Sequence, residues 1–296
     1  MKVAHIIMAY KSPQQIERMI RAMDHPDFHF FIHLDKKISI APFRYLQTIK
    51  NVSFIRNRSV CNWGGFSFVK AVINSLSEVL DGHQVFDYYN LMSGQDYPIK
   101  PVNQILAFLK KNEGKSYVSF DTPDKTDWWS HAVSRYEKFH FTDFRFKGRY
   151  LLQRIVNAVM PKRKFPLPIQ LYGSSISSWW TLHAPCARYL VQFAQSEKKL
   201  GRFMRFTWGA DEFFYATILM NSPHRHNIVN DNLRLINWEE GASNPIIFTQ
   251  KDLELISNSE KFFARKFDVN VDSIILDDIN NLTTLVKTTL ALMMMS

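Results

Sequence analysis

The sequence predicts an α/β fold in which a mostly parallel sheet carries helices on both faces. Three observations predict it: short unbroken apolar runs without helical spacing, longer stretches with apolar residues at i, i+3, i+4 and i+7, and a regular alternation of the two through the first 120 residues. With 296 residues, 46% hydrophobic and 14% aromatic, the chain has enough apolar material for one sizeable core or two fused lobes.

The elements follow in order. Residues 3–10 read as a buried strand. Ser12 is a candidate N-cap, Pro13 suits the first helical position, and Gln15 completes a capping box. Ile16, Met19, Ile20 and Met23 then recur at helical spacing. Residues 28–33 return as a strand that ends at Leu34-Asp35, giving a strand–helix–strand opening. Trp63-Gly64-Gly65 is a turn, and Val69, Val72, Ile73, Leu76, Val79 and Leu80 mark the helix after it. Residues 88–92 form a strand emptying into Ser93-Gly94-Gln95-Asp96-Tyr97-Pro98, Pro101 opens another helix, and 116–120 is a further strand. Ligands of such sheets bind beyond the carboxyl ends of the strands, which marks Tyr10-Lys11, Leu34-Asp35 and 94–96.

From 122 to about 170 the periodicity weakens and cations become dense, at Arg135, Lys138, Arg145, Lys147, Arg149, Arg154, Lys162, Arg163 and Lys164. Tyr150, Leu151, Ile155 and Val159 share one face of a short basic amphipathic helix. The ordinary expectation is that this face packs on the core; the alternative is contact with an acidic membrane surface. A strand at 178–182 and a helix at 184–195 follow. Trp208-Gly209-Ala210-Asp211-Glu212 leads into a helix with Phe213, Phe214, Ala216, Thr217 and Leu219. Thr249 with Asp252 forms a second capping box, 262–268 is a basic-aromatic stretch, and Leu282, Leu285, Val286 and Leu290 mark a terminal helix.

Formal net charge is +10, which favours phosphate-bearing ligands, acidic lipid surfaces or nucleic acid. No zinc-finger, basic-zipper or RNA-recognition pattern is present, so nucleic acid is not expected as a partner. Cys61 and Cys186, far apart, make no disulfide framework and imply a reducing compartment. The first residues read as a core strand rather than a signal peptide, and no run of roughly 18 apolar residues occurs. A cytoplasmic protein, with peripheral attachment to the inner face of the membrane left open, is the expectation.

Phosphate-loop, dinucleotide, zincin and nucleophile-elbow motifs are all missing. The scattered histidines read as packed residues rather than metal ligands. Asp211-Glu212 is the most informative acidic pair. A carboxylate in the first turn of a helix is favoured in its ionised form, as a general base requires; the plainer reading is a helix cap. Trp128-Trp129, Trp179-Trp180, Trp208 and Trp238 offer faces for sugar rings or simply core.

Taken in order, these segments resemble the core-2/I-branching β-1,6-N-acetylglucosaminyltransferases and their peptide O-xylosyltransferase relatives. The matching pieces are Ile6-Ile7 through Tyr10-Lys11, His33-Leu34-Asp35, Trp63-Gly64-Gly65 with Ser67 and Val69, and Ser93-Gly94 with Asp96-Tyr97-Pro98-Ile99. Arg135-Tyr136, Gly173-Ser174 with Trp179-Trp180, Asp211-Glu212-Phe213-Phe214 and Phe263-Ala264-Arg265-Lys266-Phe267-Asp268 complete them. The resemblance implies a single GT-A-type, Rossmann-like domain over 1–272, with a nucleotide-sugar half at 1–120, an acceptor and catalytic half at 121–272, and a helical tail at 273–296. It implies an inverting transferase that uses a UDP-sugar, typically UDP-N-acetylglucosamine or UDP-xylose, with no resident cofactor and no metal. No two aspartates have the Asp-x-Asp spacing of metal-binding transferases.

By the same resemblance Glu212 is the base, and Lys266 pairs with the donor diphosphate. Asp35 contacts the nucleoside, with Ala9, Tyr10, Trp63, Gly64, Asp96 and Arg265 on the donor side. Arg135, Trp179, Trp180 and Trp238 fall on the acceptor side, where a glycan or lipid-linked saccharide would bind. One departure is Ser243, within Ala242-Ser243-Asn244-Pro245, where some relatives carry a second diphosphate-binding arginine; hydroxyl and backbone donors, or a basic residue such as Arg265, are the candidate replacements. A metal-dependent transferase, a glycosidase or a non-catalytic basic binding protein remain the rival classes.

Overall fold

The computed structural model describes residues 1–122, 127–239, 241–242 and 244–293, with side chains through Thr284 apart from Asp127. In chain order the elements are β1 (Val3–Ala9), α1 (Pro13–Ala22), β2 (Phe28–Leu34), β3 (Val52–Phe54), α2 (Phe66–Leu80), β4 (Tyr88–Ser93), β5 (Tyr97–Pro98), α3 (Val102–Lys111) and β6 (Ser116–Val118). Then come α4 (Asp127–Glu137), α5 (Arg149–Val159), β7 (Trp180–His183), α6 (Ala184–Ser196), α7 (Lys198–Met204), α8 (Asp211–Met220), β8 (Ile228–Val229), β9 (Arg234–Ile236), α9 (Leu253–Asn258), β10 (Phe263–Arg265) and α10 (Ile274–Met293).

The main sheet has the order β3-β2-β1-β4-β7-β6-β8. β1 pairs in parallel with β2 and β4, β2 with β3, and β6 with β8, whereas β7 runs antiparallel to both β4 and β6. The expected α/β class, with a mostly parallel sheet, holds, with this one reversed strand. All seven residues of β1 are buried because both faces are covered. Ala4, Ile6 and Met8 point into a core with α2, α6 and α8, while Val3, Ile7 and Ala9 point into a second core with α1, α3 and the start of α10. A small sheet, β5-β10-β9, sits beside the main one.

The first capping expectation fails. Ser12 has φ of 53° and its side chain makes no cap. Gln15 is instead fully buried, donating to the carbonyls of Gly94 (3.2 Å) and Phe267 (2.9 Å) and accepting from the Val269 N–H (3.0 Å). Inward bonding serves buried backbone groups that would otherwise be orphaned. The Thr249/Asp252 box is present as expected, opening a 3-10 turn before α9. The strand expected at 178–182 lies two residues later, at Trp180–His183.

α5 overturns the ordinary expectation for the basic helix. None of its residues is buried. Its polar side faces the protein: Gln153 Oε1 accepts from the Phe141 N–H (2.8 Å), and Asn157 both accepts from and donates to Phe139 backbone (2.8 Å each). Its apolar side faces outward.

Gln15→Leu should keep the fold but leave the Gly94 carbonyl and the Val269 N–H unsatisfied, while the Phe267 carbonyl keeps its bond from Gln95 (3.3 Å). The expected loss is about 2–4 kcal/mol in urea unfolding, since each orphaned buried group costs about 1–3 kcal/mol.

Candidate active site

The carboxyl ends of β1, β2 and β4 open into one cleft of about 820 Å³. From these ends come Ala9, Tyr10, Asp35, Ser93 and Gln95; from the start of α8 come Asp211 and Glu212; from the end of β10 come Arg265 and Lys266. Trp63 and Gly64, Arg135, Trp179 and Trp238 complete the predicted lining. Eleven of the thirteen side chains named from sequence therefore meet in this cleft: all but Asp96 and Trp180.

Asp96 and Trp180 stand behind it. Asp96 is fully buried, accepts from the Ser93 N–H (3.1 Å) and lies 3.2 Å from Arg265 Nε. Trp180 is fully buried because it is the first residue of β7 and its alternation turns it into the core opposite Tyr215, while Trp179 before it reaches the cleft. Trp179 itself carries the Arg265 guanidinium over its ring at 4.2 Å, so that face is occupied by a cation rather than open to a sugar. Ser243 lies outside the described residues.

Glu212 is held by Arg135, whose Nη1 donates to Oε2 at 2.5 Å. Arg135 lies in turn over Trp208 at 4.5 Å, and its carbonyl accepts from the Trp208 N–H (3.1 Å). Burial pushes the Glu212 carboxyl up to about 8, against the pull of Arg135 and with some further push from Asp211. The ionised form expected from the helix start is thus opposed by desolvation, and the group exchanges its proton near neutral to mildly alkaline pH. Asp211 accepts from the Ser178 hydroxyl (2.6 Å), and burial raises it too.

On the cationic side, Lys266 Nζ donates to Asn244 Oδ1 (3.1 Å). Burial and the nearby charges of Arg265 and Lys11 hold its pKa below the usual lysine range. Two adjacent cations facing a cleft, Arg265 buried and Lys266 half-buried, can attract an anion. At the strand ends, Asp35 pairs with Lys37 (3.3 Å) and accepts from the Lys37 N–H (2.9 Å), while the Tyr10 hydroxyl donates to Gln95 (3.0 Å). Cys61 also lines the cleft, but burial pushes its thiol up to about 12, so it is no nucleophile, and both cysteines are free. Among the described residues no three His, Cys, Asp or Glu side chains converge to hold a metal ion.

The structure adds residues not singled out for the site. Asp143 accepts from the Ser67 N–H (2.8 Å), the Ser67 hydroxyl (2.5 Å) and Asn62 (3.1 Å), fixing the Trp63-Gly64-Gly65 turn. A Cβ on Gly65 would fall 2.2 Å from Asp143 Oδ1. Gly64, at φ of 68°, packs on Trp208, the ring that also supports Arg135. Nothing in the local sequence around Asp143 signals this long-range latch.

The profile of the "Core-2/I-Branching enzyme" family matches residues 3–260. The chain belongs to the core-2/I-branching enzyme family. It is thereby a glycosyltransferase. Among similar proteins, human xylosyltransferase 1 is 26% identical over 309 residues, covering 94% of this chain and 30% of the human protein. Rat xylosyltransferase 2 is 24% identical over 308 residues, covering 93% of this chain and 33% of that one. This family member therefore spans about a third of the length of those relatives. Mouse xyloside xylosyltransferase 1, in its apo crystal structure, is similar to it at a TM-score of 0.41 and 12% identity, over 88% of this chain and 97% of the mouse chain.

Gly64→Ala should cost about 1–2 kcal/mol from the left-handed backbone alone. It should also shift the tryptophan emission spectrum, because the new methyl would lie 2.9 Å from Trp208 Nε1. Urea unfolding followed by fluorescence measures both.

Proposed function

We propose that this enzyme transfers a sugar, N-acetylglucosamine or xylose, from a UDP-sugar to a hydroxyl of a glycan or lipid-linked saccharide, with inversion and without a metal ion. The observation that carries this reading is that a largely buried carboxyl, Glu212, and two adjacent cations, buried Arg265 and half-buried Lys266, open onto the same cleft at the carboxyl ends of the strands.

In the reaction the acceptor oxygen attacks the anomeric carbon as its proton passes to Glu212. The new C–O bond forms while the bond from that carbon to the diphosphate breaks, and UDP leaves on the opposite face. A base with a pKa near the working pH is effective, because it is deprotonated often enough to act and basic enough to take the proton. Arg135 positions Glu212 and leaves its second oxygen for the acceptor. Lys266 and Arg265 neutralise charge on the leaving diphosphate, and this interaction is strongest when that charge is greatest. Asp35, at the end of β2, takes the nucleoside, and Trp238 offers an indole to the acceptor.

Glu212→Gln should lower kcat by about 100- to 10,000-fold, while UDP still raises the melting temperature. Lys266→Ala should lower both turnover and the UDP-dependent shift. A panel of UDP-sugars assayed for transfer and slow hydrolysis in excess EDTA tests the donor and the metal together. Turnover abolished by EDTA and restored by manganese would overturn the metal-free reading.

The deprotonated, active fraction of Glu212 rises as pH climbs through its pKa. With that pKa at about 8, kcat/KM should increase from pH 6, reach half its plateau near pH 8 and level above about pH 9. In Glu212→Gln the residual rate should lose this dependence.

A further inference from the structure

α5 is mounted inside out. Leu151, Ile155 and Val159, spaced i, i+4 and i+8, form a stripe that is 63%, 51% and 74% exposed, with Leu152 beside it. The opposite face, Arg149, Gln153 and Asn157, bonds the protein's own backbone at Phe144, Phe141 and Phe139. A surface helix ordinarily buries its apolar stripe and wets its polar one. Here four polar bonds fix the reverse orientation, so the exposed stripe is not an accident of a loosely held segment.

The charge around it selects what covers the stripe. Between residues 144 and 164 there are seven Lys or Arg and no Asp or Glu. Lys147, Arg154 and Lys164 are exposed. Lys162 pairs with Glu137 (2.7 Å), but the exposed Lys147, Arg154 and Lys164 remain to flank the stripe; an apolar helix face bordered by such cations matches an anionic bilayer, into which the stripe inserts while the cations meet lipid phosphates. No helix among the described residues is long and apolar enough to cross a membrane, so such contact is peripheral.

We propose that α5 is a membrane-docking helix that seats the enzyme on an anionic lipid surface. The helix is coupled to the cleft. Arg145, just before it, donates to Asn62 (3.1 Å) in the Trp63 turn, and Arg163, just after it, donates from its backbone to the Glu137 carbonyl (2.8 Å) at the end of α4, the helix carrying Arg135. Docking would therefore hold the Arg135 side of the cleft near the bilayer.

The test is co-sedimentation of the full chain with vesicles of equal parts phosphatidylcholine and phosphatidylglycerol, against vesicles of phosphatidylcholine alone. The expected result is binding to the anionic vesicles only, weakened by salt. Binding should fall about tenfold or more in Leu151→Gln/Ile155→Gln/Val159→Ser and in Lys147→Glu/Arg154→Glu/Lys164→Glu. Because all six positions are exposed, melting temperature should be unchanged, and Val159→Ser alone provides a milder variant. Failure to bind anionic vesicles, equal binding to neutral ones, or binding indifferent to the apolar substitutions would overturn the proposal. So would a concentration-dependent dimer, seen by light scattering and dissolved by the apolar triple variant, which would assign the stripe to a second copy of the chain. None of these readouts depends on catalysis.

Discussion

The cleft depends on one buried ion pair. Asp96 is wholly removed from water, a position in which a bare carboxylate is costly, and Arg265 lies 3.2 Å away with its other face on Trp179. The pair joins the turn after β4 to β10, and β10 pairs with β5 in the same region. The small sheet is thereby locked onto the large one, and Lys266, the next residue, is delivered to the mouth of the parallel strands. Buried pairs of this kind are modest contributors to stability but strict about geometry. In this fold the pair sets where Arg265 and Lys266 stand along the cleft wall.

Glu212 sits under a different constraint. Its position is set less by its own helix than by Arg135 on α4, which bonds the carboxylate, stacks on Trp208 and accepts from the Trp208 backbone. Burial and ion pairing act on this carboxyl in opposite directions. The outcome is a carboxyl raised to about 8, a perturbation of the kind that clusters at functional sites. α8 and the end of β2 bring carboxyls that are each met by a cation, Arg135 and Lys37, whereas β10 brings the Arg265-Lys266 pair.

Most of the scaffold was legible. β1, β2, α2, β4, α3, α6 and α8 announce themselves because elements covered by core carry strong apolar patterns. The two- and three-residue strands β3, β8, β9 and β10 do not, since so few residues establish no period and their pairing is decided by distant partners. α4 was hidden for a related reason, its aromatic residues obscuring a simple stripe. Ser12 misled because its backbone turns left-handed, and Gln15 because its partners lie 79 and 252 positions away. At the site, most of the residues marked by family resemblance reached the cleft. Asp96 and Trp180 did not, and their orientation follows from burial and strand alternation that no motif encodes. For α5 the amphipathic pattern was readable, but which side faces the protein was not, because Gln153 and Asn157 bond backbone groups that sequence does not reveal.

The reversed strand β7 has an effect on how the molecule can diversify. In a sheet of parallel strands, only the segments leaving each strand border the ligand edge. Turning one strand around brings the segment that enters it to that edge as well, and so Ser175, Ser178 and Trp179 stand among the cleft residues although they precede β7. Such an entering loop can lengthen, shorten or change composition without disturbing the parallel strands that position Ala9, Asp35 and Gln95. One inverted strand thus gives the architecture a separately adjustable wall.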